Sequence, residues 1–332
     1  MGRKFVTVLC ALLSLFIVSS CNSSDNALFT TTVGGNAYDV MVVGDADVWK
    51  SDAGRCLFDL LDEEMPGLPQ SESYFNIIFL QEHDFTDIVK PMRSLVFFKI
   101  DPAKFTQGKV SFKKDQWART QAIVQVTAPD QEEMIRVLKE KKQAILDFFV
   151  DMECERSILY FKRYANSDGI KLLDDKLGLH VSLPHYIDKS KVGEKFVWMS
   201  NGSVDVRMDI LAYRTPYHDK NDMTLSRIVE RRDSLTKKYV PGPSEGSYMC
   251  VENEVIPPVE RHILYKKRKC TEVRGLWRVE GGFMGGPFVS RSFVDTLHQE
   301  VVTMDAFVYA PQHEKRNKIR QVEAVLHSLE IE

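Results

Sequence analysis

Residues 204–210 read VDVRMDI. Val204, Val206, Met208 and Ile210 alternate with Asp205, Arg207 and Asp209. A period of two with apolar and charged positions interleaved predicts a strand with one face on a core and the other on water. That is the pattern of an antiparallel sheet. GLHVSLP at 178–184 alternates in the same way, with Leu179, Val181 and Leu183 inward and His180 and Ser182 outward. Further strands are expected near 247–252, 262–269, 273–279, 287–295 and 300–309, the last three close enough in sequence for a meander. Helices are expected at 222–239, where Asp222 is a candidate cap, and from Pro311 to Leu329.

Upstream, YDVMVVG (38–44), YFNIIFL (74–80), RSLVFFKI (93–100) and QAIVQVT (121–127) read as β-branched and aromatic strands. Ser51 is a candidate cap for a helix that buries Leu57, Phe58, Leu60 and Leu61. Pro129 is placed to open a long helix with Met134, Leu138, Ile145, Phe148 and Met152 on one face. Strands and helices therefore occur in both halves. The expected class is α+β, as two domains of mainly antiparallel sheet flanked by helices, at 36–152 and 153–332.

The first twenty residues read differently. Arg3 and Lys4 precede an apolar run from Phe5 to Val18, shorter than the roughly twenty residues that span a bilayer. A basic start, a short apolar middle and small residues at the end describe a secretory signal. Its last four residues, Val18-Ser19-Ser20-Cys21, resemble the lipobox of bacterial lipoproteins, in which the cysteine is acylated and becomes the first residue. The expectation is a signal peptide at 1–20, a membrane anchor on Cys21 and a flexible tether at 21–35. The expected address is the bacterial envelope, on the periplasmic side of the outer membrane. Asn22 follows the cysteine, and not the aspartate associated with retention in the inner membrane.

From Cys21 onward the chain has 312 residues, and loss of Arg3 and Lys4 takes its charge from −3 to −5. That balance does not favour nucleic acid as a partner. The expected partners are the membrane, through acylated Cys21, and an envelope protein or small ligand. Of six cysteines, Cys10 leaves with the signal and Cys21 is lipidated. Cys56, Cys154, Cys250 and Cys270 remain, without the spacing of a zinc site. The envelope permits disulfides, and Cys250 with Cys270 is the candidate pair, against the alternative of buried free thiols.

Chemistry is sparse. GPSEG at 242–246 matches G-x-S-x-G, but a helix precedes it and a strand follows, the reverse of a nucleophile elbow. Ser244 is carried as the nucleophile of an alternative reading, an envelope hydrolase. The eight histidines have no HExxH or HxH spacing, and the residues imply neither a metal site nor a cofactor. KKRK at 266–269 reads as a solvated edge strand or as a contact for acidic lipid or a polyanion. RGLWRVEGGFMGGPF at 274–288 is the most unusual stretch, with four glycines and a proline among Trp277, Phe283, Met284 and Phe288. It is either a bulged hairpin packed into the core or a ligand-contacting turn. Trp277, Gly285, Gly286, Pro287 and Phe288 are its candidate site residues.

GLWRVEGGFMGGPFVS, DAFVYAPQHEKRNKIRQVEAVL and, upstream, PGLPQSESYF at 66–75 resemble an uncharacterised group of Bacteroidetes lipoproteins, domain-of-unknown-function family 4837. The resemblance implies an envelope location and supplies no activity and no catalytic residues. The second half is also similar to the Mog1/PsbP-like layout, an antiparallel sheet flanked by helices that is usual in binding or assembly proteins. The expected function is a non-catalytic binding or assembly factor. The alternatives are a hydrolase, or a lipid or glycan binder with an aromatic-lined cavity near Trp277 and Phe283.

Overall fold

A computed structural model describes residues 32–330. The signal, Cys21 and most of the tether lie outside the described residues. The first unit is built on strands β1 (Asp39–Gly44), β2 (Asn76–Gln81), β3 (Ser94–Ile100), β4 (Lys109–Lys114) and β5 (Ala122–Ala128), in the order β2-β1-β3-β5-β4. Helices α1 (Ala46–Lys50) and α2 (Asp52–Leu61) connect β1 to β2, and α3 (Gln131–Arg163) follows β5. The second unit has α4 (Ser167–Leu177), β6 (Lys189–Gly193), β7 (Phe196–Ser200), β8 (Arg207–Pro216), α5 (Leu225–Tyr239), β9 (Tyr248–Glu252), β10 (Val259–Tyr265), β11 (Arg268–Glu280), β12 (Gly285–Asp295), β13 (Glu300–Tyr309) and α6 (Arg316–Ser328). Its sheet runs β10-β11-β12-β13-β8-β7-β6, with β9 also paired to β11. The class is α+β with two sheet-based units.

Eight of the eleven strand pairings among the described residues are antiparallel, and the second sheet is antiparallel throughout. The three parallel pairings all lie in the first sheet, where β1 joins β2 and β3, and β3 joins β5. The reason is in the sequence. DVMVVG is buried at every position, so both faces of β1 are covered, as parallel strands require. Val40, Val42, Val96 and Val124 face the core beneath α3. Met41, Val43, Leu95 and Ile123 form a second apolar layer.

The helix α3 departs from expectation at both ends. Its cap is Asp130, whose carboxylate accepts from the Glu133 amide at 2.9 Å. Pro129 therefore stands just before the cap, not on the first helical residue. The helix then runs without a break through the expected boundary at 152/153. At 33 residues it is about 50 Å long. Met134, Leu138, Ile145 and Phe149 pack into the first core, and Cys154 and Phe161 into the second.

The second sheet is covered on both faces, so the expected wet face of β8 is not wet. Helices α4 and α6 cover one face and α5 the other. Asp209, expected outward, is fully buried and accepts from Trp198 Nε1 at 2.9 Å and Arg207 Nε at 3.0 Å. Asp305 is likewise buried, paired with Arg232 of α5 at 2.8 Å. A charge that alternates with apolar residues reads as solvent-facing. Here partners on a covering helix and on neighbouring strands replace the water.

Other differences are local. KKRK is not an edge strand: Lys266 and Lys267 form the β10–β11 turn at positive φ (45° and 68°), and Arg268 and Lys269 begin β11, which lies between β10 and β12. GLHVSLP is extended and buries Leu179, Val181 and Leu183 as expected, but it makes isolated bridges, His180 to Glu330 and Pro184 to Ala165, instead of a ladder. The helix expected from Pro311 begins at Arg316, and the helix expected from 222 begins at Leu225. The last part of the expected tether is already docked: Thr32 bridges Arg119, and the Gly34 amide donates to Pro91 O at 3.0 Å.

Candidate functional site

The GGPF stretch is packing, not a pocket wall. Trp277 is buried, its Nε1 donates to Val308 O at 3.1 Å, and its ring lies 5.4 Å from that of Phe307. Gly286 pairs with Trp277 and Gly285 with Arg278. A methyl group on Gly286 would overlap the Val308 carbonyl oxygen, so the glycine is what lets β12 approach β13. Pro287 and Phe288 are buried in β12, and the Arg232 guanidinium lies 4.1 Å from the Phe288 ring centroid. Trp277, Pro287 and Phe288 are packed into the sheet, so the stretch follows the core-hairpin alternative and not the ligand-contacting turn. Phe283, in contrast, stands fully exposed at the turn.

Cys250 and Cys270 do not pair. Cys250 lies opposite Arg278 on β11, eight residues beyond Cys270 on the same strand. At about 3.3 Å per residue that is roughly 26 Å, far outside disulfide reach. All four described cysteines are free thiols. Burial pushes the Cys270 and Cys154 thiols up to about 12. Ser244 lies in an exposed turn, where its amide donates to Ser247 Oγ at 3.0 Å and its carbonyl accepts from the same hydroxyl at 2.5 Å. No histidine bonds to it among the described residues, so the hydrolase as framed has no base.

The sequence reading missed the most distinctive site, a cleft of about 670 Å³ between the two units. Its floor is a network of buried charges. Strand alternation places Glu272 and Arg274 of β11 on one face, with Arg291 of β12 paired directly across from Glu272. From above, α6 adds Arg320 and Glu323. Arg274 Nε donates to Glu272 at 2.9 Å and its Nη2 to Glu323. Arg291 donates to Glu272 at 2.8 Å and to Glu323 at 3.2 Å, and Arg320 donates to Glu323 at 3.2 Å. All five side chains are nine-tenths or more buried.

Burial alone would raise the Glu272 carboxyl, but Arg274 and Arg291 more than offset it and hold it well below the usual carboxylate range. Glu323 is lowered by the same balance, with Arg274 and Arg320 the main partners. The wall opposite is α3, which presents Gln143, Asp147 and Asp151. Arg261 of β10 reaches across to Asp147 at 3.3 Å. Partial burial and the neighbouring Asp147 raise the Asp151 carboxyl. Beside Arg291, burial and that positive charge lower His327 to about 4.

The walls are held in place by residues 64–76 of the first unit. Met65 and Leu68 are buried in the second unit's core. Gly67, at φ +78°, passes close against Gly275 and Arg274. Glu72 accepts from the Lys315 and Arg316 amides, each at 2.8 Å, and Arg316 donates to Ser73 O at 2.8 Å. The Arg320 guanidinium lies 5.2 Å from the Tyr74 ring.

Residues 166–328 match the model of a family described as a domain of unknown function, DUF4837. The second unit matches the DUF4837 family. Residues 33–162 match a different domain of unknown function, DUF8532. The stretch PGLPQSESYF, which the sequence alone grouped with DUF4837, lies within the DUF8532 match. The two matches meet at the end of α3, and the cleft is lined by residues of both. Neither description refers to the Mog1/PsbP-like layout. No curated protein matches the chain.

Proposed function

We propose that this protein is a non-catalytic binding or assembly factor, held at the periplasmic face of a bacterial envelope membrane through Cys21. Its ligand seat in this reading is the cleft between the DUF8532 and DUF4837 units. The observation that carries it is the saturation of the floor. Glu272 and Glu323 each accept from two or more guanidiniums, so neither is free to act as an acid or base near neutral pH. A floor of three guanidiniums and two carboxylates, with one positive charge in excess, between two clasped units suits recognition. Guanidiniums on the floor and carboxylates on the α3 wall favour a polar ligand that carries both charge signs. The membrane address is supported by the run from Arg3 to Cys21. No helix among the described residues is long and apolar enough to cross a membrane.

The test uses two exposed rim groups, Asp151 and Arg261, the second 3.7 Å from Glu272 of the floor. The full-length chain is screened by thermal shift against zwitterionic peptides and amino sugars, in parallel with Asp151→Asn and Arg261→Ala. A ligand that loses about tenfold in affinity in both variants and is recovered chemically unchanged supports the reading. A ligand indifferent to both variants, or one turned over by the protein, overturns it.

A further inference from the structure

At the other side of the second sheet, the β7–β8 turn (201–206) and the β11–β12 turn (281–284) stand at the same end. That end is where β13 finishes, because Tyr309 pairs with Arg207 and Phe307 with Phe288. Between the turns lies a groove of about 520 Å³. Trp198, Tyr309 and Met284 form its apolar surface, and Lys189, Lys191 and Arg207 its charged one. No carboxylate lines it among the described residues. Arg207 stacks over Trp198 at 5.3 Å and rests on buried Asp209. Lys191 donates to Tyr239 O at 2.8 Å, which fixes its ammonium at the rim. Two acids lie nearby: Asp205 is turned to His313 at 3.1 Å, and exposed Asp188 lies 3.5 Å from the Lys189 ammonium, so Lys191 and Arg207 carry most of the groove's positive field.

The lips of this groove are apolar and fully open to water. Val204 is 92% exposed and Phe283 109%. Each sits at a turn tip, where a side chain supports no core. The opposite end of the sheet also exposes two apolar side chains, Leu264 and Leu297, but the cleft between them includes Glu260 and Asp295. Of these two ends, the first alone has apolar tips flanking a groove whose described lining includes basic residues and no carboxylate.

We infer that this end of the DUF4837 unit docks on an anionic phospholipid surface. The headgroup phosphate takes Lys189, Lys191 and Arg207, the glycerol region meets Trp198 and Tyr309, and Phe283 and Val204 enter the acyl boundary. Basic side chains near a membrane are drawn by its negative surface potential, and apolar side chains beside them gain by leaving water. The inference is independent of the cleft between the units.

The experiment uses the full-length chain bound to vesicles of phosphatidylcholine, alone or mixed with phosphatidylglycerol. Amide hydrogen exchange is followed at residues 201–206 and 281–284. Co-sedimentation first establishes that the chain is on both vesicle types, which tests the N-terminal anchor separately, so the comparison of exchange isolates the groove. The expected result is about tenfold slower exchange at both turns on the anionic vesicles only. The effect should disappear in Lys189→Glu/Lys191→Glu and in Phe283→Ser, whose targets are all exposed. Free glycerol 1-phosphate should not reproduce it. Equal protection on both vesicle types, no protection on either, or equal protection by free glycerol phosphate would each overturn the inference.

Discussion

Glu72 caps the helix that begins at Arg316, although the two residues lie in different units. Its carboxylate accepts from the Lys315 and Arg316 amides at 2.8 Å each. Amides at a helix start lack partners of their own and carry the positive end of the helix dipole. Lys315, at the cap position itself, makes no side-chain cap bond. Glu72→Ala should therefore lower stability by about 1–2 kcal/mol in urea unfolding. Exchange at the first amides of α6 should rise with it. An unchanged midpoint and unchanged exchange would remove the clasp from this account.

Breaking the buried network from one side should cost far more. Arg291→Met leaves Glu272 and Glu323 short of a guanidinium in a dry site, a loss of about 3–5 kcal/mol. Replacing the set with apolar residues of similar volume should recover much of it. Denaturant midpoints of the single and combined variants measure the difference.

Acid should destabilise the protein in two stages. His327 is lowered to about 4 by burial and by Arg291, against an unfolded value near 6.5. The unfolded chain binds that proton first, so stability falls as pH drops from about 6.5 toward 4, by at most about 3 kcal/mol. From the ordinary carboxylate range downward, Glu272 and Glu323 give a second loss, because the unfolded chain protonates them before the folded one does. In His327→Gln the first stage should flatten while the second remains, read from melting temperature against pH.

Reducing agent should leave the melting temperature unchanged, because no bond joins Cys250 to Cys270. Under native conditions at neutral pH, Cys154 and Cys270 should resist iodoacetamide, since burial keeps both as thiols. Unfolding in urea should expose all four described thiols to labelling, counted by intact mass.

Gly286→Ala should destabilise by about 3 kcal/mol, as its methyl meets the Val308 carbonyl across the sheet. Gly34→Ala, with open space around it, is the control and should change little.

Strand positions were readable wherever apolar residues dominated, as in VMVV, LVFF and the β11–β13 meander. Pairing direction in the first sheet was also written there, since VMVV is apolar on both faces, but a run of four does not announce its neighbours. Strands β4 and β6 were missed because KVSFKK and KSKVG are lysine-rich edges with few buried positions. FVWMS, β7, was passed over between them. The cleft was hidden for a different reason. Glu272, Arg274, Arg291, Arg320 and Glu323 read singly as surface charges, and only tertiary structure brings β11, β12 and α6 together so that each neutralises another. MGGPF drew attention correctly as a constrained stretch, and its constraint proved to be steric. Met284, at its start, reaches a groove wall.

The border between the two family matches is not a seam in the solid. A fragment starting at residue 166 would lose Cys154 and Phe161, and with them Met65 and Leu68, from a core they help to fill. It would also lose the carboxylate that starts its last helix. The DUF4837 half, expressed alone, would carry an open flank where α3 lay, and should aggregate or recruit a substitute. The pair is one mechanical object, in which a change along α3 is felt in both cores at once.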